Sequence, residues 1–184
     1  IVYMGMGEPF LNYRNVIESL KILTSENGLE IPAKKITIST IGIKGRIREF
    51  ADEITKSENA KIKNVKLALS LHSTDEGMRE KLIPLSRGYK LKEVYEDLVY
   101  FYRKTKTKIT YEYIWFEGLN DTLNDIKRIK KLSGMLPCNF NIIPYHPIDN
   151  IFGNLTPKNK DEEKLFRKLK EPNYSLSNIK LNHF

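Results

Sequence analysis

Five segments of the chain end an apolar run in side chains able to do chemistry: Gly5-Met6-Gly7-Glu8-Pro9, Ser39-Thr40-Ile41-Gly42, Ser70-Leu71-His72-Ser73, Glu117-Gly118-Leu119-Asn120-Asp121 and Pro144-Tyr145-His146-Pro147. In the first, glycines at 5 and 7 admit backbone angles barred to larger residues, and Pro9 stiffens the exit while holding Glu8 extended. A carboxylate fixed in this way can accept hydrogen bonds from a ligand ammonium group. His72 and His146 add imidazoles, which donate, accept or carry a proton near neutral pH. Turn geometry alone explains Gly, Pro, Asn or Asp at any one of these ends. It does not explain their recurrence at five ends that one fold would bring to one rim.

Several chemistries are excluded. The glycine pattern at 5–7 is neither G-x-x-x-x-G-K-[ST] nor G-x-G-x-x-G, so it is no phosphate cradle of those types. No nucleophile is paired with a base, and the three histidines are too scattered for a zinc signature. The single cysteine, Cys138, rules out an internal disulfide and any metal site built from several thiolates of this chain, and it fits a reducing compartment. At a predicted strand entrance it reads as a small buried hydrophobe. No residue of the chain is assigned a catalytic or metal-ligating role.

The elements that must position these residues alternate. Strands are predicted at Ile1–Met4, Lys35–Thr40, Val65–Leu71, Lys108–Phe116 and Phe140–Ile143. Between them lie helical patterns: Tyr13–Ser25 with Asn12 as N-cap, the run "IKGRIREFADEIT" with Ile47, Phe50 and Ile54 on one face, "STDEGMREKLI" ended by Pro84, Leu91–Arg103 and Leu123–Ser133. A further helix is predicted over Lys160–Lys170, the tail "NYSLSNIKLNHF" is at best a weak strand, and "KSENAKIKN" is the expected flexible insertion. Strands separated by helices of this length mean βαβ units, an α/β fold and a parallel sheet whose C-terminal strand ends share one rim. Ligand chemistry in such folds sits at that rim.

With 184 residues the chain has the length of one domain, and no repeat or low-complexity tract divides it. No apolar stretch approaches the ~18 residues that span a bilayer, so a soluble, cytoplasmic protein is expected. Thirty-one Lys+Arg against twenty-three Asp+Glu leave a net charge of +8 and favour encounter with polyanions. The excess clusters in "PAKKIT", "IKGRIR", "KIKNVK" and "YRKTKTK", several of them beside predicted strands, so one rim is expected to be basic. The first residue is Ile1 rather than Met, inside a predicted strand, which points to a processed chain or a piece of a longer product.

Taken in series, "VYMGMGEPFLNYRNV", "KITISTIGI", "LALSLHSTDEGMREKLIP", "ITYEYIWFEGLND" and "PCNFNIIPYHP" resemble the RlmN/Cfr family of radical S-adenosylmethionine RNA methyltransferases, in the family's own order from Ile1 to about Asp149, with 150–184 a divergent tail. The resemblance implies a single, incomplete domain, a partial (β/α)6 radical SAM barrel of which this chain holds strands two to six. It implies that Gly7 and Glu8 match the turn near the methionine amino group of S-adenosylmethionine, that Ser39 matches a cofactor-binding serine, and that Ser70, Leu71 and His72 match the segment lining the cofactor. His146 stands where the family usually has asparagine, and imidazole cannot present both amide functions at once.

What the resemblance implies about activity is methylation of C2 of an adenine in 23S rRNA, and in some members of tRNA, by a monomeric cytoplasmic enzyme that uses S-adenosylmethionine, a [4Fe-4S] cluster and an electron donor. The family's cluster ligands form a C-x-x-x-C-x-x-C loop, and its methyl-carrying cysteine lies in a "CGQL"-like block; neither motif occurs here. The expectation is therefore an internal piece of such an enzyme, inactive alone. Two alternatives stand beside it: a degenerate, non-catalytic basic RNA-binding module, and a fragment of a Cfr-like enzyme that methylates adenine C8.

Overall fold

The computed structural model describes residues 1–116 and 118–145, and the backbone of 179–181. Six parallel strands lie side by side in chain order: β1 (Val2–Tyr3), β2 (Thr37–Thr40), β3 (Lys66–Ser70), β4 (Ile109–Trp115), β5 (Cys138–Pro144) and β6 (Ile179–Leu181). Between them run α1 (Tyr13–Thr24), α2 (Arg46–Ile54), α3 (Glu76–Leu82), α4 (Leu91–Thr105) and α5 (Leu123–Ser133). The five expected strands and the helices between them are all present. The weak tail strand is realised as β6 on the open edge of β5. The helix expected at Lys160–Lys170 and the site residue His146 lie outside the described residues.

Alternation along each strand separates two faces of the sheet. One carries Ile38, Leu67, Leu69, Ile109, Tyr111, Tyr113, Phe140 and Ile142, which form one buried cluster with helix residues such as Ile47, Phe50, Leu98, Phe101, Ile126 and Ile129. At its centre the Phe50 ring meets Phe10 at 5.5 Å and stacks on Phe101 at 5.9 Å, tying the turn after β1 to α2 and α4. The opposite face is polar. Parallel register sets Ser39 beside Ala68, Thr110 and Asn139 in turn, and one step nearer the C-terminal rim Ser70 beside Glu112 and Asn141.

Three local expectations are corrected. Asn12 occupies the N-cap position of α1 but does not cap it: its side chain accepts from Asn15 Nδ2 at 2.7 Å, and its own backbone has left the extended region a capping side chain needs. The "KSENAKIKN" segment is no loose insertion, since Ser57–Ile62 forms a 3-10 turn with Asn59 and Ile62 buried and Asn59 Nδ2 donating to Glu53. β5 begins at Cys138, ahead of the predicted Phe140, because Cys138 already pairs with Ile109. The Cys138 side chain is buried, and burial pushes its thiol up to about 11, as expected of a small structural hydrophobe.

Candidate functional site

The C-terminal strand ends enclose a cleft of about 250 Å³ on the polar face. Gly7, Glu8, Ser39, Ser70 and His72 all line it, together with Tyr3, Ile41, Glu112 and Ile143. Leu71 does not. Its side chain is fully buried in the apolar cluster on the helix side, because alternation along the strand turns it away from its neighbours Ser70 and His72.

Glu8 is held from three sides. Its Oε1 accepts from Phe10 N at 2.9 Å and Thr40 Oγ1 at 2.8 Å, and its Oε2 accepts from Ile41 N at 2.7 Å. Gly7 makes the approach possible with φ 104°, a region that side chains rarely enter. The carboxylate is buried yet makes no ion pair among the described residues. Three neutral donors fix its direction and leave its charge uncompensated, which suits a cationic ligand group. Beside it the Ser39 and Ser70 hydroxyls meet at 3.2 Å across β2 and β3.

His72 sits at φ 51°, pinned by its own backbone: its N–H donates to Glu112 O, and its carbonyl accepts from Asn120 Nδ2 at 2.7 Å. Nδ1 accepts from Ile114 N at 3.0 Å, so the ring proton resides on Nε2. Burial, reinforced by the nearby Arg79 charge, lowers its pKa to about 4. The unfolded chain therefore takes up this proton near pH 6.5 while the folded chain resists until about pH 4. The stability so contributed is complete above pH 6.5 and is lost on acidification through that window, by up to ~3 kcal/mol. Glu112 acts oppositely: burial raises its carboxyl, so its protonation on acidification restores stability. Chemical denaturation of wild type and His72→Asn at pH 7 and at pH 4.5 reads the difference. The variant is expected to lose less stability between the two, since asparagine tolerates the left-handed backbone and titrates nothing.

Two participants escaped the sequence reading. Glu112 points into the cleft from mid-β4, with burial raising its pKa and Asn141 Nδ2 donating to it. The available signal was a charged residue inside "KITYEYIWF", a run otherwise buried on one side throughout. Arg79 is fully buried behind the cleft, its Nη2 donating to Ile41 O at 2.6 Å and Ser70 O at 3.2 Å, while its Nε finds no acceptor among the described residues. It stitches the exit of β2 to that of β3 without an ion pair among the described residues. Its signal was a position on α3 one turn from the buried Leu82. Because α3 carries Arg79, its cap matters: Asp75 accepts from Met78 N at 2.8 Å, and Asp75→Ala is expected to cost ~1 kcal/mol in urea unfolding.

A larger cavity of about 760 Å³ lies on the outside between α4 and α5, lined by residues including Arg48, Tyr95, Tyr100, Arg103, Arg128 and Lys131. None of Gly7, Glu8, Ser39, Ser70 and His72 lines it, so these five belong to the smaller cleft. Among the described residues no three His, Cys, Asp or Glu side chains converge, and Cys138 is buried with a raised thiol pKa, so this chain's residues do not fit an iron-sulfur cluster.

A parallel sheet with outer helices and a polar cleft at its strand ends makes this an α/β chain of the barrel-like kind, the architecture of the radical S-adenosylmethionine enzymes it superposes on. A radical SAM methyltransferase from Sphaerobacter thermophilus superposes with a TM-score of 0.78 at 29% identity, over 99% of this chain and 50% of that one. A domain of pyruvate-formate lyase-activating enzyme from Bacteroides vulgatus superposes with a TM-score of 0.67 over 100% and 98% of the two chains; at 17% identity this is a likeness of fold alone. No protein-family model matches. A protein of Flavobacterium psychrophilum named as a probable dual-specificity RNA methyltransferase RlmN is 43% identical over 150 residues, 82% of this chain and 41% of the relative. One of the same name from Christiangramia forsetii is 38% identical over 173 residues, 94% and 46% of the two. The chain belongs to the RlmN/Cfr family. It spans less than half the length of these curated relatives. No helix among the described residues is long and apolar enough to cross a membrane.

Proposed function

We propose that this chain forms the cofactor-holding face of a radical S-adenosylmethionine RNA methyltransferase acting on C2 of an adenine in 23S rRNA, and on tRNA as well. The observation that supports the reading best is the convergence of Gly7, Glu8, Ser39, Ser70 and His72 on one cleft around a buried carboxylate that makes no ion pair among the described residues. The methionine end of S-adenosylmethionine carries an ammonium and a sulfonium against one carboxylate, a net positive charge that suits a cleft lined by two carboxyl groups and, among the described residues, no lysine or arginine. The cleft is smaller than the ~300–1,000 Å³ typical of a whole small-molecule site, which suits one end of the ligand. When bound, S-adenosylmethionine would supply the methyl group and, on receiving one electron from a reductant outside these residues, the radical that an unactivated aromatic carbon requires.

The residues of this chain then bind and orient. Glu8 accepts from the ammonium group on the carboxylate edge that its three donors leave free. Ser39 and Ser70 offer hydroxyls that can both donate and accept. His72 stays neutral, so it adds no charge against a cationic ligand. The reading is tested by mass spectrometry of 23S rRNA and tRNA nucleosides from cells with and without the gene that encodes this chain. Loss of 2-methyladenosine on deletion is expected; unchanged 2-methyladenosine overturns the reading.

A further inference from the structure

The basic clusters do not surround the cleft. Sheet direction places the segments entering β2, β3 and β4 together on the opposite rim, and those segments, residues 25–36, 55–66 and 104–108, hold nine lysines against three glutamates. The described segments leaving β1 to β4, residues 4–12, 41–45, 71–75 and 118–122, hold one lysine against three carboxylates. Of the nine, Lys56, Lys61 and Lys104 pair with Glu53, Glu26 and Asp52. Lys34, Lys35, Lys63, Lys66, Lys106 and Lys108 are exposed and make no ion pair among the described residues. Two of them are neighbours across the sheet. Lys66 lies beside Thr37, and the pairing of Leu67 with Ile109 brings Lys66 level with Lys108 on the next strand, about 5 Å away at ordinary sheet spacing.

These six ammonium groups, which make no ion pair among the described residues although Lys106 lies over the Tyr102 ring, leave a net positive charge along one edge, while the described part of the cleft rim is slightly acidic. We propose that this strand-entry rim, at the opposite end of the strands from the cleft, is a second RNA contact that grips the phosphodiester backbone of the RNA substrate outside the nucleotide being modified. The proposal rests on the RNA methyltransferase reading and extends it to where the rest of the RNA is held. A lysine rim reads charge and not sequence, so it would position RNA without specifying the target base. It also explains why the net charge of +8 does not appear at the cleft.

The test is a salt titration of the 184-residue chain binding polyuridylate, followed by anisotropy, for wild type and the triple variant K35E/K66E/K108E. Each phosphate contact on a single strand contributes about 0.7 to the slope of log K against log salt, so the triple variant is expected to lose about 2 from that slope. A matched control, K81E/K92E/K127E, changes charge equally on helices α3, α4 and α5 and is expected to leave the slope near wild type. Equal slopes for wild type and the rim variant overturn the proposal, as does an equal loss in the control. So does competition by polyglutamate as effective as that by RNA. Binding of S-adenosylhomocysteine to the rim variant should match wild type, so its loss from both would indict the cleft reading and leave the rim to be judged on the slopes.

Discussion

Replacing Glu8 by glutamine is expected to weaken S-adenosylmethionine binding about ten- to a hundredfold while the chain stays folded. The carboxylate is the cleft's one charged group held on three sides, by Phe10 N, Thr40 Oγ1 and Ile41 N, with nothing cationic bonded to it among the described residues. A hydrogen bond to a charged group is worth about 1.5–3 kcal/mol, and 1.4 kcal/mol is tenfold in affinity. Glutamine retains one acceptor oxygen, which can serve Phe10 and Thr40 or Ile41 but not both sides; its NH2 must then face a donor. That mismatch costs about 1–3 kcal/mol of folding stability, a part of the 5–15 kcal/mol a domain commonly has. Isothermal titration with S-adenosylmethionine reads the binding change, and a urea melt separates it from unfolding. Wild-type affinity in Glu8→Gln would remove the carboxylate from the site.

Phe50→Ala is expected to lose about 3–5 kcal/mol, the range for deleting a buried aromatic ring. Phe50 is wholly buried between Phe10 and Phe101. The consequence reaches the cleft, because Phe10, which loses its support, also supplies the N–H on Glu8 Oε1. S-adenosylmethionine affinity should therefore fall further in Phe50→Ala than in Ile129→Ala, an equally buried deletion on α5 far from the turn. Equal effects on binding would show that the aromatic stack supports the fold and not the carboxylate.

The parts of the fold that could be read in advance are those where one signal dominated. Helix α5 was legible to its last residue because apolar periodicity coincides with a capping box, in which Thr122 and Asp125 satisfy one another's backbone donors. The strand ends were legible because parallel topology collects them, and Glu8 and His72 stand out there by residue type; Ser39 and Ser70 were singled out by the family resemblance. Leu71 shows the limit: adjacency in sequence puts successive strand residues on opposite faces, so a matched segment is not a matched set of contacts. Glu112 and Asn141 were missed for the converse reason. They lie in mid-strand on the inner face, and only the register that aligns Ser70, Glu112 and Asn141 reveals them as one row. Arg79 required tertiary structure, since its partners are the carbonyls of Ile41 and Ser70 from two other elements.

The basic rim is the same lesson in charge. Sequence placed lysines beside strands, but which end of the strands they occupy depends on whether they precede or follow each strand. Three of the four clusters precede one, and so lie away from the cleft; only "IKGRIR" follows.

The central claim, that the strand-end cleft holds the amino end of S-adenosylmethionine, is tested most directly by following backbone amide resonances as the ligand is added to the isotope-labelled chain. The amides that grip Glu8, those of Phe10 and Ile41, should shift with the same saturation curve as Gly7 and His72, and the curve should move to higher concentration in Glu8→Gln. Shifts confined to Tyr95, Arg103 and Lys131 in the outer cavity between α4 and α5, with Phe10 and Ile41 unmoved, would contradict it.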